Sequence, residues 1–110
     1  MNKTILITGG SRGIGAATAR LAAQRGYAVC INYLNNHSAA NTLMQQITGN
    51  GGSAIADQAD VSVEREVVRL FETIDRELGP IDALVNNVGI VEQQTRVENM
   101  DAARLNRAFR

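Results

Sequence analysis

The residues with the strongest claim to chemistry are Thr8-Gly9-Gly10-Ser11-Arg12-Gly13-Ile14-Gly15, four glycines in eight positions directly after the apolar run Ile5-Leu6-Ile7. Bare backbone opening a helix leaves first-turn N–H groups unpaired at the positive end of the helix dipole. Such an end binds an anion, a pyrophosphate above all, provided that no side chain blocks its approach. Gly9 would make the turn, Gly13 would admit a phosphate, and Gly15 would let the helix pack closely on the preceding strand. A Walker loop is excluded, because Ile14 follows Gly13 and no Lys stands near. The strict G-x-G-x-x-G spacing fails too, since Thr18 occupies the place of its last glycine. T-G-x-x-x-G-x-G is what remains. On spacing alone, a glycine-rich turn that binds nothing stays open.

The elements around this octet alternate. Residues 4–8 form a short β-branched run ending in glycine, the pattern of a buried strand. Residues 13–25, rich in Ala and Leu and stopped by Gly26, read as a helix. A strand over 28–33 follows, then a helix over 38–48 with Ala40, Leu43, Met44 and Ile47 on one face, then a weaker strand over 53–59. Residues 62–78 give the clearest helix. Val63, Val67, Leu70, Phe71, Ile74 and Leu78 recur at three and four residues, Ser62 is placed to cap it, and Gly79-Pro80 ends it. A strand over 81–85 and a helix over about 100–110 complete the pattern. Strands alternating with helices of this length predict right-handed crossovers and a parallel α/β sheet.

Composition narrows the function. Eleven basic residues balance eleven acidic ones, which gives no electrostatic footprint for nucleic acid or an anionic membrane. No apolar run reaches the roughly 18 residues of a membrane span, and no secretory signal is read at the N-terminus. Cys30 is the lone cysteine, so no internal disulfide or cysteine-rich metal cage forms, and the cytoplasm is the expected compartment. Cys30 reads as a small buried apolar residue and His37, the lone histidine, as a surface residue. The charged residues of 64–77 read as a solvated helix face, with Glu72 and Arg76 as an i,i+4 pair.

The octet's spacing and its place near the N-terminus resemble the short-chain dehydrogenase/reductase family. Two later motifs carry the resemblance further. Asp60-Val61 follows the third strand, and Asn86-Asn87-Val88-Gly89 follows the fourth, with Val88 where the family usually has alanine. All three lie at the C-terminal ends of expected parallel strands, where doubly wound sheets bind ligands. The resemblance covers essentially the whole chain. It implies a Rossmann-type doubly wound parallel sheet of strand order 3-2-1-4, with residues 1–110 as the dinucleotide-binding portion of a single domain. It further implies that Gly9, Ser11, Arg12, Gly13, Ile14 and Gly15 surround the pyrophosphate and adenosine ribose. Asp60 and Val61 would hold the adenine, and Asn87 and Gly89 would lie beside the nicotinamide ribose, while Asn86 ties neighbouring strands. Taken singly, Asp60 is also a favourable helix-start charge and Asn86-Asn87 a turn.

NAD-preferring dinucleotide folds carry an acid about 20 residues past the glycines, bonded to the ribose 2′-OH. Here that region reads Asn32-Tyr33-Leu34-Asn35, and no Asp or Glu occurs between Gly15 and Asp57. Nothing there repels a 2′-phosphate, and the Arg12 guanidinium could pair with one. The expectation is NADP(H) over NAD(H), with Asn32, Tyr33 and Asn35 adding hydrogen bonds; Leu34 departs from the Arg or polar group of many NADP-preferring members. The family's reaction is hydride transfer between nicotinamide and a carbonyl or alcohol, using Tyr-x-x-x-Lys, Ser and Asn. Tyr27 is followed four residues on by Ile31, Tyr33 by His37, and Lys3 precedes both, so that motif is absent. The catalytic residues are therefore expected beyond Arg110, with a small-molecule substrate and a homo-oligomer, dimer or tetramer. A non-catalytic nucleotide-binding or interaction module is the alternative.

Overall fold

The computed structural model describes residues 3–11 and 13–87. The helix expected over 100–110 lies outside them. In chain order the elements are β1 (Thr4–Thr8), α1 (Gly13–Gln24), β2 (Ala28–Tyr33), α2 (His37–Gly49), β3 (Ser53–Gln58), α3 (Glu64–Glu77) and β4 (Ile81–Asn86). The four strands form one parallel sheet in the order β3-β2-β1-β4. Leu6 at its centre is in register with Cys30 on one side and Leu84 on the other.

Strand alternation explains why TILIT is buried throughout and apolar at its three central positions. Successive side chains face opposite sides of a sheet, and both sides of β1 are covered. Ile5 and Ile7 join Val29, Ile31 and Tyr33 in a core completed by Ala16 and Ala19 of α1 and Leu43 and Ile47 of α2. Leu6 and Cys30 point the other way, onto Leu70 and Ile74 of α3. Small alanines on the inner face of α1 bring that helix close to the sheet, which sets the depth of the turn preceding it.

The helix ends differ from the sequence expectation in instructive ways. α2 begins at His37, one residue before the expected start, because Asn36 caps it: Asn36 Oδ1 accepts from the Ala39 N–H at 3.1 Å. Ser62 does not cap α3. The helix starts two residues later, with Val63 at the cap position and no side-chain cap bond. Ser62 instead turns back to Asp60. α1 closes with Gly26 N–H on the Ala23 carbonyl and Tyr27 N–H on the Ala22 carbonyl, each at 3.0 Å, the double bond that satisfies a helix's last carbonyls.

Cys30 is fully buried, as its setting in the strand suggested, and burial, with a smaller contribution from Asp57, pushes its thiol far above the ordinary range. No helix among the described residues is long and apolar enough to cross a membrane. Leu6 is fully buried between the sheet and α3; Leu6→Ala should lower the unfolding free energy by about 3 kcal/mol. Urea unfolding followed by circular dichroism measures this, and a loss under about 1 kcal/mol would mean that Leu6 is not closely packed on α3.

Candidate dinucleotide site at the carboxyl ends of the strands

The glycine turn and the residues after β4 meet at one edge of the sheet. Gly9 and Gly13 have φ of 60° and 62°, the left-handed region in which a side chain costs strain. The Gly10 N–H donates to the Asn32 carbonyl at 3.0 Å, pinning the turn onto the end of β2. Among the described residues, none outside the helix takes the amides of Ser11, Ile14 or Gly15. A Cβ on Gly13 would meet nothing within 4 Å, so open space lies in front of the first turn of α1. Ile14, 78% exposed, stands at the rim of that space.

Gly15 is different. A Cβ there would stand 2.5 Å from the Gly9 carbonyl oxygen and 3.1 Å from Asn87 Nδ2. Helix, turn and the end of β4 are therefore in direct contact, and only a residue without a side chain fits between them.

Thr8 holds β4 in place. It is buried at the end of β1; its hydroxyl donates to Asn86 Oδ1 at 2.7 Å, and its Oγ1 accepts from the Asn87 N–H at 3.1 Å. Asn86 thus ties the two strands, as expected. Asn87 emerges with its side-chain Nδ2 buried and, among the described residues, without an acceptor. A buried unpaired donor is costly, and its presence marks a place where something else accepts.

At the end of β3, Asp60 Oδ1 accepts from both the N–H and the hydroxyl of Ser62, at 2.9 and 2.6 Å. Those bonds hold the Asp60 carboxyl below its ordinary value. The Asp60 N–H donates to Glu66 Oε1 at 2.8 Å. Arg69 is not simply solvated: it pairs with Asp57 at 3.0 Å and donates to the Gln58 carbonyl, fixing the last turn of β3 to α3. Arg76 pairs with Glu77 at 3.5 Å rather than with Glu72. Val61 packs partly buried against the α3-side core.

At the end of β2 the structure departs from the sequence expectation. Asn32 is 1% exposed, and its amide donates to the Asp57 and Ala59 carbonyls at 3.4 and 3.1 Å. Tyr33 is 7% exposed, and its hydroxyl lies 2.6 Å from His37 Nδ1. Both side chains are engaged within the protein rather than turned toward a ligand. Arg12, Val88 and Gly89 lie outside the described residues.

Similarity to known proteins gives the family. The family model described as short chain dehydrogenase matches residues 3–110. The chain belongs to the short-chain dehydrogenase family. An uncharacterized oxidoreductase, YgfF, of Escherichia coli (strain K12) is 54% identical over 104 residues, covering 94% of this chain and 42% of that protein. A 3-oxoacyl-[acyl-carrier-protein] reductase of Synechocystis is 47% identical over 85 residues, covering 77% of this chain and 34% of its own length. The crystal structure of a blue fluorescent protein from a metagenomic library in complex with NADPH superposes with a TM-score of 0.76 at 40% identity, over 80% of this chain and 36% of the other. The chain spans less than half the length of each of these three proteins.

Sequence reasoning missed three positioning residues. Thr8 was legible only as a strand end. Arg69 pairs across a strand–helix connection, where no helical periodicity signals it. His37 meets Tyr33 at a spacing of four residues, but over a strand–loop–helix boundary.

Two outcomes test this geometry. Gly15→Ala forces helix and turn apart, whereas Gly13→Ala costs only the left-handed strain of about 1–2 kcal/mol; thermal unfolding should rank Gly15→Ala as clearly the worse, and equal midpoints would contradict the close contact. Because the folded Asp60 carboxyl is held low, its bonds to Ser62 stabilise the loop above the ordinary carboxylate value of about 4 and are lost as pH falls through the folded value. In Ser62→Ala, an NMR titration should find the Asp60 carboxyl moved upward toward its ordinary value.

Proposed function

We propose that the chain is the dinucleotide-binding portion of an NADP(H)-dependent oxidoreductase that moves hydride between nicotinamide and a small carbonyl or alcohol substrate. The observation that carries this reading is the open space before the first turn of α1, where a side chain on Gly13 would meet none of the described residues, flanked by the Asn87 amide, which has no acceptor among them. Anionic phosphates and ribose hydroxyls are the acceptors that such a cradle suits.

The residues divide the dinucleotide among them. Gly9, Ser11, Arg12, Gly13, Ile14 and Gly15 would surround the pyrophosphate and adenosine ribose, with the bare amides as donors and Ile14 as apolar cover. Asp60 and Val61 would receive the adenine, Asp60 through the carboxylate oxygen that Ser62 leaves free. Asn87 and Gly89 would sit beside the nicotinamide ribose. When bound, the cofactor supplies hydride-transfer chemistry; these residues bind and orient it. The proton-transfer residues of the family are assigned to sequence outside the 110 residues. A homo-oligomer, dimer or tetramer, in the cytoplasm goes with this reading, a compartment in which a lone thiol needs no partner.

Preference for NADP(H) follows from charge. No acidic residue occupies the first turn of α2 or the end of β2, so nothing repels a 2′-phosphate where an NAD-preferring fold would place a carboxylate. The NADPH held by the 40%-identical metagenomic protein supports the same choice.

Fluorescence titration of the full-length protein with NADPH and NADH tests the reading. Arg12→Ala should weaken NADPH by about tenfold and NADH much less, the cost of one charge-assisted contact. Equal losses for the two cofactors would defeat the 2′-phosphate assignment, and binding without turnover of any carbonyl would leave a nucleotide-binding module instead.

A further inference from the structure

A cavity of about 190 Å³ lies toward the amino ends of the strands, the opposite end of the sheet from the glycine turn. The second half of α1 and the end of α2 wall it, and the turn into β3 closes it. Ala23 and Ile47 supply its apolar side, and Gly52 lies against both: a Cβ there would stand 2.8 Å from Ile47 Cγ2 and 3.6 Å from Ala23 Cβ. Arg20, Gln24, Gln46 and Asn50 supply its polar side, and all four are exposed, so the cavity opens to solvent. An apolar cavity of about 150 Å³ takes a benzene ring, whereas sites for drug-sized ligands begin near roughly 300 Å³. The size therefore suits a small organic molecule.

Charge decides its class. No Asp or Glu occurs between Gly15 and Asp57, so neither helix brings a carboxylate to the cavity, and Arg20 is the one ionised group lining it. Among the described residues its guanidinium meets only a neutral acceptor, Gln46 Oε1, at 3.3 Å from Nη2 and 3.4 Å from Nε. Both bonds are long, and a fork of two N–H donors matches the two oxygens of a carboxylate better than one amide oxygen. An ionised acceptor bonds about twice as strongly as a neutral one, enough to displace the amide. The side-chain amides of Gln24 and Asn50 have no hydrogen-bond partner among the described residues and can serve a ligand's other polar atoms.

A cation does not suit the same place. The carbonyls of Gln46, Ile47 and Thr48 already accept from the N–H groups of Asn50, Gly51 and Gly52, so the end of α2 offers no free cradle of oxygens. A phosphate dianion suits it poorly too, since both helices turn their carboxyl ends this way and only one guanidinium offsets them. We propose that this cavity is a second ligand site, for a small organic carboxylate. Arg20 Nε and Nη2 donate to the two carboxylate oxygens, and the apolar part of the ligand lies on Ala23 and Ile47. None of these residues belongs to the dinucleotide cradle, so the two sites stand or fall separately.

Benzoate is the probe, and benzamide its uncharged counterpart. Saturation-transfer NMR on the full-length protein, with NADPH present, measures both. Benzoate should bind with a Kd on the order of 1 mM, as befits so few atoms, and benzamide about tenfold more weakly. Arg20→Gln should weaken benzoate by about tenfold. Arg25→Gln removes the same charge just past the end of α1, outside the cavity, and should leave benzoate within about twofold. Thermal unfolding reports that both variants are folded. No benzoate binding to the wild type, or an affinity that Arg20→Gln leaves intact, would overturn the proposal and spare the NADP(H) reading. Equal losses in the two arginine variants would overturn it as well, because they would mean charge attraction without a site.

Discussion

How near α1 can come to the turn after β1 governs the whole upper edge of the sheet. A side chain at residue 15 would stand 2.5 Å from the Gly9 carbonyl, so the contact exists only because residue 15 has none. The consequences reach in two directions. Toward the core, alanines at 16 and 19 let the helix settle on Ile5, Ile7 and Val29. Toward solvent, the first-turn amides are left at the bottom of an open space rather than lifted above it. Moving the helix outward by a few tenths of an ångström would leave the same sequence of elements and a different site.

The second constraint couples that turn to the far strand. Thr8 precedes the glycines and Asn86-Asn87 end β4, and a single hydroxyl serves both: it donates to one asparagine and accepts from the backbone of the next. Strands that are separated by some 78 residues in sequence are thereby set in register at the one point where their ends must agree. The cost is visible in Asn87, whose side-chain donor is held in a buried position against Gly15 with no described partner. Sites that bind ligands retain such unsatisfied groups because the ligand completes them.

Most of the fold was legible because periodicity and punctuation agree. The apolar run of β1, the three-and-four spacing of Val67, Leu70 and Ile74, and Gly26 just past α1 each point to the element that forms. Where the reading went astray, one side chain had two possible uses and the sequence offered no way to choose: Ser62 could cap α3 or bond to Asp60, and the folded loop takes the second. Within the site, the glycine turn could be read from residue type alone, since only backbone conformation was at stake. The contacts of Thr8, Arg69 and His37 could not, since each depends on elements that only the folded sheet brings together.

The end of β2 shows why listing polar residues near a motif overstates a site. Asn32 and Tyr33 stand at the right place in the chain, yet each side chain is engaged within the protein, Asn32 donating to the end of β3 and Tyr33 hydrogen-bonded to His37. A buried polar group must be satisfied by the protein itself, so the residues closest to the core are the least free to serve a ligand. Tyr33 and His37 instead tie the end of β2 to the start of α2, and Gln58 holds the Leu34 carbonyl between them, so the course of the loop after β2 is set by the protein's own bonds.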